Sequence, residues 1–243
     1  MIRRVFFTIV LALTITSCDS QSLLKQAADI YKQTTANGQL TNTDVASGLK
    51  QALNKGIDTA IAQVAKPDGF FKDQAVKILL PAELQKVDKT LRSIGMSSLA
   101  DEGLKLMNRA AEDAAGKAKN IFVNAIKQMT FQDAFSILMG EKNAATQYLK
   151  KTTTTQLYSE FNPVIKNSLD VVGATKIWGQ IISKYNQLPM VSKVNPDLAD
   201  YVTNKAMDGV FYKVEKEELA IRKDPVNRTT DLLKKVFAKQ DSK

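Results

Sequence analysis

Arg109 and Glu112 stand three residues apart, a spacing that puts a guanidinium and a carboxylate on one face of a helix. Asp133 and Arg222 add an acceptor and a second guanidinium near places where the sequence pattern starts or ends a helix. Once Arg3 and Arg4 at the amino terminus are set aside, the chain carries 28 lysines but only four arginines: Arg92, Arg109, Arg222 and Arg228. Against that background, a position that keeps arginine needs the planar five-donor fork that an ammonium does not supply. Two uses fit. Arg109, Glu112, Asp133 and Arg222 form a polar cluster that binds an anion or an acidic partner, or each arginine clamps helix ends and partly buried carboxylates within a bundle. The second is the commoner role of isolated arginines in helical proteins. Asp133 is the expected cross-helix acceptor for Arg109.

Other chemistry is narrowed by what the chain lacks. It has no histidine and one cysteine, Cys18. Ser-His-Asp and Cys-His nucleophiles, Cys/His zinc clusters and an internal disulfide are therefore excluded. Carboxylates at Asp68, Glu112, Asp133 and Asp208 could do acid/base work or hold a hard cation, but no Asp-x-Asp-x-Asp-Gly loop is present. Asp68-Gly69 and Asp208-Gly209 read as a turn and a helix-packing pair. Trp178 with Ile177, Ile181 and Ile182 reads as core in preference to a ligand pocket. No catalytic residue, cofactor or metal site is expected.

The 243 residues carry 34 Lys and Arg against 25 Asp and Glu, a formal charge of +9, with 44% hydrophobic residues. That composition is ordinary for a globular domain. The basic residues are scattered lysines without an aromatic-interleaved strand or a DNA-binding motif, so nucleic acid is not the expected partner.

At the amino terminus, Met1-Ile2-Arg3-Arg4 supplies a positive region. Val5 to Ile15 follows as a run of eleven residues, apolar apart from two threonines. The run is shorter than the roughly 20 residues a spanning helix needs, and it reads as a cleaved signal peptide over residues 1–17. Ile15-Thr16-Ser17-Cys18 resembles the bacterial lipobox. The resemblance implies diacylglycerol on the Cys18 thiol, cleavage before it and acylation of the new amino terminus. Two or three acyl chains hold a protein firmly at a bilayer, where one does not. The expected location is the bacterial cell envelope, lipid-anchored and facing the periplasm or the cell surface.

Residues 18–42 are rich in Gln, Ser, Thr and Asn and read as a lipidated tether. Residues 43–243 read as one all-α domain, an irregular bundle of about eight to ten helices. Asn42 or Thr43 caps the first amphipathic helix, which ends near Val64. Lys66-Pro67-Asp68-Gly69 is a turn, Ala75 to Leu80 a short run that could be extended, and Pro81 opens a helix closed by Gly95. One long helix is expected from Ser98 to Gln128, its alanine-rich half implying close helix approach. Thr130 with Asp133 fits a capping box, and Gly140 closes that helix. Segments follow over residues 143–151, over 155–172 with a kink or break at Pro163, and over 174–186. Pro189 to Pro196 is a loop, Asp197 to Arg222 a long helix, and Asp224-Pro225 caps a last one. Strand signals are almost absent.

Asp68-Gly69-Phe70, Leu80-Pro81, Met107-Asn108-Arg109-Ala110-Ala111-Glu112, Met129 to Ala134, Ala144 to Tyr148 and Ile221 to Pro225 occur in that order. Together they resemble the bacterial family known as domain of unknown function 4197, over about Ala46 to Phe237. The resemblance implies the fold unit and export, and it transfers no substrate, cofactor or catalytic residue. The leading expectation is a non-catalytic helical binding or structural domain, anchored to a membrane through Cys18. Its partner would be a protein or a small anionic or apolar ligand. The alternative is an envelope enzyme using carboxylates and arginine.

Overall fold

The structure, a computed structural model, describes residues 41–241 except 94, 96 and 229. The expected signal peptide, Cys18 and the tether up to residue 40 lie outside the described residues. Asn42–Lys243 forms one compact unit.

The fold is all-α. Its helices are α1 (Asn42–Val64), α2 (Gln85–Ser93), α3 (Ser97–Ala115), α4 (Ala118–Gln128), α5 (Phe131–Met139), α6 (Ala144–Val171), α7 (Ala174–Tyr185), α8 (Leu198–Lys223) and α9 (Asp231–Asp241). Among the described residues, seven of these have eleven or more residues and two have nine, with no strand. The most extensive packing is of α8 on α6 and α1, and of α3 on α6.

Periodicity explains the centre. In α8, Leu198, Val202, Ala206, Val210 and Val214 are buried at four-residue steps. The same stripe continues to Glu218 and Arg222, which are buried as well. In α6 the matching stripe is Ala145, Leu149, Thr153, Leu157, Phe161, Ile165 and Leu169. Ala110, Ala111, Ala114, Ala115 and Ala118 are all essentially inaccessible, as the alanine-rich pattern implied. Small side chains let neighbouring backbones approach, so little apolar area per residue still closes the core.

Three expectations about boundaries change. The long helix from Ser98 to Gln128 is two helices, α3 and α4, divided at Gly116-Lys117. Glycine costs about 1 kcal/mol against alanine in a helix interior. The chain tightens there, with the Lys117 N–H donating to the Ala114 carbonyl at 3.0 Å. Conversely, the segments 143–151 and 155–172 are one 28-residue helix, α6. Its threonine run is accommodated within the helix: the hydroxyls of Thr152, Thr153 and Thr154 are satisfied by donating to the carbonyls of Tyr148, Leu149 and Lys150, four residues back. Pro163 lies on the exposed side, where a helix curving around a core can absorb the lost bond, and the buried stripe passes through without interruption. Thirdly, Asp224-Pro225 does not open the last helix directly. A 3-10 turn (Pro225–Asn227) intervenes before α9, with Asp224 accepting the Val226 N–H at 2.9 Å.

The first helix starts at Asn42, so Asn42 and Thr43 lie inside its first turn and Thr41 precedes it. Other punctuation is as read. Thr130 and Asp133 form the reciprocal capping box of α5. Gly95 takes φ 82°, the left-handed conformation of a helix-closing residue. Pro81 leads through a 3-10 turn (Ala82–Leu84) into α2.

Candidate functional site

The polar residues singled out by type and spacing separate into distinct clusters. The first joins α3 to the turn after α1. Arg109 Nη1 donates to Glu112 Oε2 at 2.6 Å, and Arg109 Nη2 donates to Asp68 Oδ1 at 2.7 Å. Asp68, not Asp133, is therefore the second acceptor of Arg109. Lys72 pairs with the other Asp68 oxygen at 2.7 Å. Glu112, 4% exposed, accepts backbone N–H groups as well: Asp68 on Oε2 at 3.1 Å, and Phe70 and Phe71 on Oε1 at 3.0 and 3.1 Å.

Convergent backbone amides around a left-handed residue, here Asp68 at φ 66°, make an anion-binding concavity. In this protein its own carboxylate fills it. The hydrogen bond from Lys72, with the Arg109 charge adding to it, holds the Asp68 carboxyl below the usual carboxylate range. The bond to Glu112 raises Arg109 above its already high ordinary value. The cluster seats Phe70, which is fully buried and meets α8 at Gly209. A Cβ on Gly209 would lie 2.5 Å from Phe70 Cε1, so the Asp208-Gly209 pair serves helix packing as its sequence suggests.

The second cluster is the buried pair Glu218–Arg222. Arg222 donates through Nε and Nη2 to Glu218 Oε1 at 3.0 and 2.9 Å, and to the Ile137 and Leu138 carbonyls at 2.8 and 3.2 Å. Glu218 accepts the N–H groups of Ala145 and Thr146 at 3.0 and 2.8 Å, and the Thr146 hydroxyl at 2.8 Å. The guanidinium thus closes the carboxyl end of α5 while the carboxylate closes the amino end of α6. Each charge meets the favourable end of a helix dipole. Here too the place of an external anion is taken by a protein carboxylate.

Asp133 belongs to neither cluster. It accepts from the Thr130 N–H at 2.9 Å and the Thr130 hydroxyl at 2.6 Å, and those bonds lower its pKa. It also lines a shallow depression of about 480 Å³ with Glu141, Tyr148 and Lys151. The remaining arginines are also engaged. Arg92 bridges Asp88 and Asp101 at 2.9 and 2.8 Å. Arg228 donates to the Ile221 and Arg222 carbonyls at 3.1 and 2.8 Å, with its guanidinium over the Phe237 ring.

Three contributors were not anticipated. Glu218 lies on the apolar stripe of α8, so its period alone forecasts burial. Asn108 similarly shares a face of α3 with Leu104 and Ala111; its amide accepts the Ile78 N–H at 2.8 Å and donates to the Ile78 carbonyl at 2.9 Å. Asn108 thereby holds the irregular segment after Val76 against the bundle, as a neighbouring strand would. The Tyr201 hydroxyl fixes the next residue by donating to the Leu79 carbonyl at 2.7 Å. Among the described residues, no group of three or more carboxylates is placed to hold a metal ion.

Between that segment and α8 runs an open groove of about 690 Å³. Leu79, Leu80 and Pro81 form one wall, and Tyr201, Lys205 and Tyr212 the other. Aromatic hydroxyls, an aliphatic wall and a single lysine–aspartate pair, Lys205 and Asp208 at 4.0 Å, give the groove mixed polarity. The arginine-carboxylate clusters do not line it.

Fold and sites together define an all-α domain whose buried charges fasten helix ends and one turn. The model of a protein family of unknown function, DUF4197, matches residues 39–238, and the chain belongs to that family. Comparison with curated proteins and with solved structures returns no match.

Proposed function

We propose that this is an exported bacterial lipoprotein, held in the cell envelope by acyl chains on Cys18, whose helical domain binds a partner or ligand without catalysing a reaction. The observation that carries the reading is the position of the chain's single cysteine. It falls directly after Ile15-Thr16-Ser17, at the end of an apolar run led by two arginines. Among the described residues no helix is long and apolar enough to cross a membrane, which accords with attachment from outside the folded domain.

For the domain itself, the groove between residues 75–82 and α8 supports binding, because its walls offer apolar surface with a few polar groups. Three of the four carboxylates considered for acid/base work, Asp68, Glu112 and Asp133, are engaged otherwise, while Asp208 is exposed. Glu112 accepts three backbone amides and a guanidinium, and Asp133 caps a helix. The test is metabolic labelling of cells with an alkyne fatty acid. Wild-type protein is expected to take the label, and Cys18→Ser to lose it and accumulate as precursor. Equal labelling of both forms would sink the proposal.

A further inference from the structure

Exposed apolar side chains are concentrated in one region. Of the ten large hydrophobic residues that are substantially exposed among the described residues, six lie between 171 and 190: Val171, Val172, Ile177, Ile181, Leu188 and Met190. They follow α7 along its length, two at its amino end, two on the helix and two just beyond its carboxyl end. Folding does not call for them. Helix α7 already buries Trp178 and Ile182, four residues apart, with the indole stacked on Tyr201 and donating to the Asn195 carbonyl at 3.0 Å. Ile177 and Ile181 repeat the four-residue step on a different stripe, each more than half exposed. The sequence reading that placed all four in the core holds for two of them.

The loop after α7 is built to present its tip. Asn186 ties the base, accepting the Val194 N–H at 2.9 Å and donating to the Val194 carbonyl at 2.7 Å. Between those ties, Met190 is fully exposed and takes φ 58°, a left-handed conformation that a side-chain-bearing residue adopts at a cost.

Charge selects the occupant. From Val171 to Pro196 the chain has Lys176, Lys184 and Lys193 and no aspartate or glutamate. Asp170, just before this stretch, is engaged by Lys166 and Thr175. The carboxylates that flank the stretch on its other side are hydrogen-bonded at its base, Asp197 to the Asp200 N–H and Asp200 to the Asn195 amide. Aliphatic side chains interspersed with three lysines match a bilayer surface, whose headgroups carry the negative charge and whose acyl boundary takes up the aliphatic groups. We propose that α7 and the loop after it form a second membrane contact, docking on an anionic lipid surface independently of any acyl chain.

The test uses the chain from residue 18 onward carrying Cys18→Ser, so that no lipid is attached, and cosedimentation with vesicles of phosphatidylcholine with or without phosphatidylglycerol. Binding is expected only with the anionic lipid. An Ile177→Ser/Ile181→Ser/Met190→Ser variant, changed at exposed positions and checked for helical circular dichroism, should bind at least about tenfold more weakly. Lys176→Gln/Lys184→Gln/Lys193→Gln should weaken binding similarly, and raised salt should weaken the parent. Absence of binding to anionic vesicles would overturn the proposal. So would unchanged binding by the serine variant, which would assign attraction to the protein's overall positive charge. Self-association abolished by the serine variant, without vesicle binding, would assign the surface to a second copy of the chain and overturn it too. Because no acyl chain is present, the outcome is separate from that of the Cys18 labelling.

Discussion

A carboxylate that accepts several backbone amides and also holds an arginine does two jobs with one charge. Glu112 fastens the 68–71 turn to α3, and Glu218 fastens α6 to the end of α5 through Arg222. Removing the arginine leaves the buried carboxylate with its backbone donors but without its counter-charge, and breaking a buried pair in this way costs up to about 3 to 5 kcal/mol. Arg222→Ala is expected to lose stability in that range by urea denaturation. Arg222→Lys should lose about 1 to 2 kcal/mol, since an ammonium keeps the charge but does not span Glu218 and two carbonyls. Arg109 is more accessible and should show the same order with smaller effects: wild type, then Lys, then Ala. An Ala variant at either position as stable as wild type would return the cluster to the ligand-site reading. The arginines themselves were legible from their scarcity beside 28 lysines. Their partners were less so: Asp68 is 41 residues from Arg109, and only the turn geometry brings it near.

Helices were readable where a stripe and its punctuation agree, and misread where one contradicts the other. Thr130 and Asp133 state a cap outright, and the structure has it. Around Gly116 the alanine stripe continues while the backbone tightens, so periodicity alone merged α3 with α4. At Pro163 no break occurs: the chain position does not reveal that the ring faces solvent, and the polar threonine run at 152–154 divided in the sequence what is one helix. Replacing Pro163 by Ala restores an N–H opposite the Ser159 carbonyl. Since interior proline costs about 3 kcal/mol in an unadapted helix, the variant is expected to gain about 1 kcal/mol here, where the helix has adapted. Thermal unfolding followed at 222 nm checks it, and a fall in midpoint would show that Pro163 itself is needed for packing.

For the molecule as a whole, titration follows from composition and from which carboxylates are paired. The pKa values of Asp68, Asp73, Asp101, Asp133 and Asp170 are all lowered, first by hydrogen bonds from Lys72, Lys213, Arg92, Thr130 and Lys166 respectively. A carboxylate whose folded pKa lies below its unfolded value stabilises the native state fully above about pH 4, and loses that contribution as pH falls through the folded value. With no histidine in the chain, stability should be level from about pH 5.5 to 8 and fall below about pH 4. Urea midpoints across that range check the profile, and a step between about pH 6 and 7 would contradict it.

The most direct measurement is the intact mass of protein purified from the native envelope in detergent, together with its amino-terminal peptide. The account predicts a chain beginning at Cys18, with diacylglycerol on the sulfur and an acyl group on the α-amine. A chain that retains Met1, begins at another residue, or carries Cys18 as an unmodified thiol would contradict it.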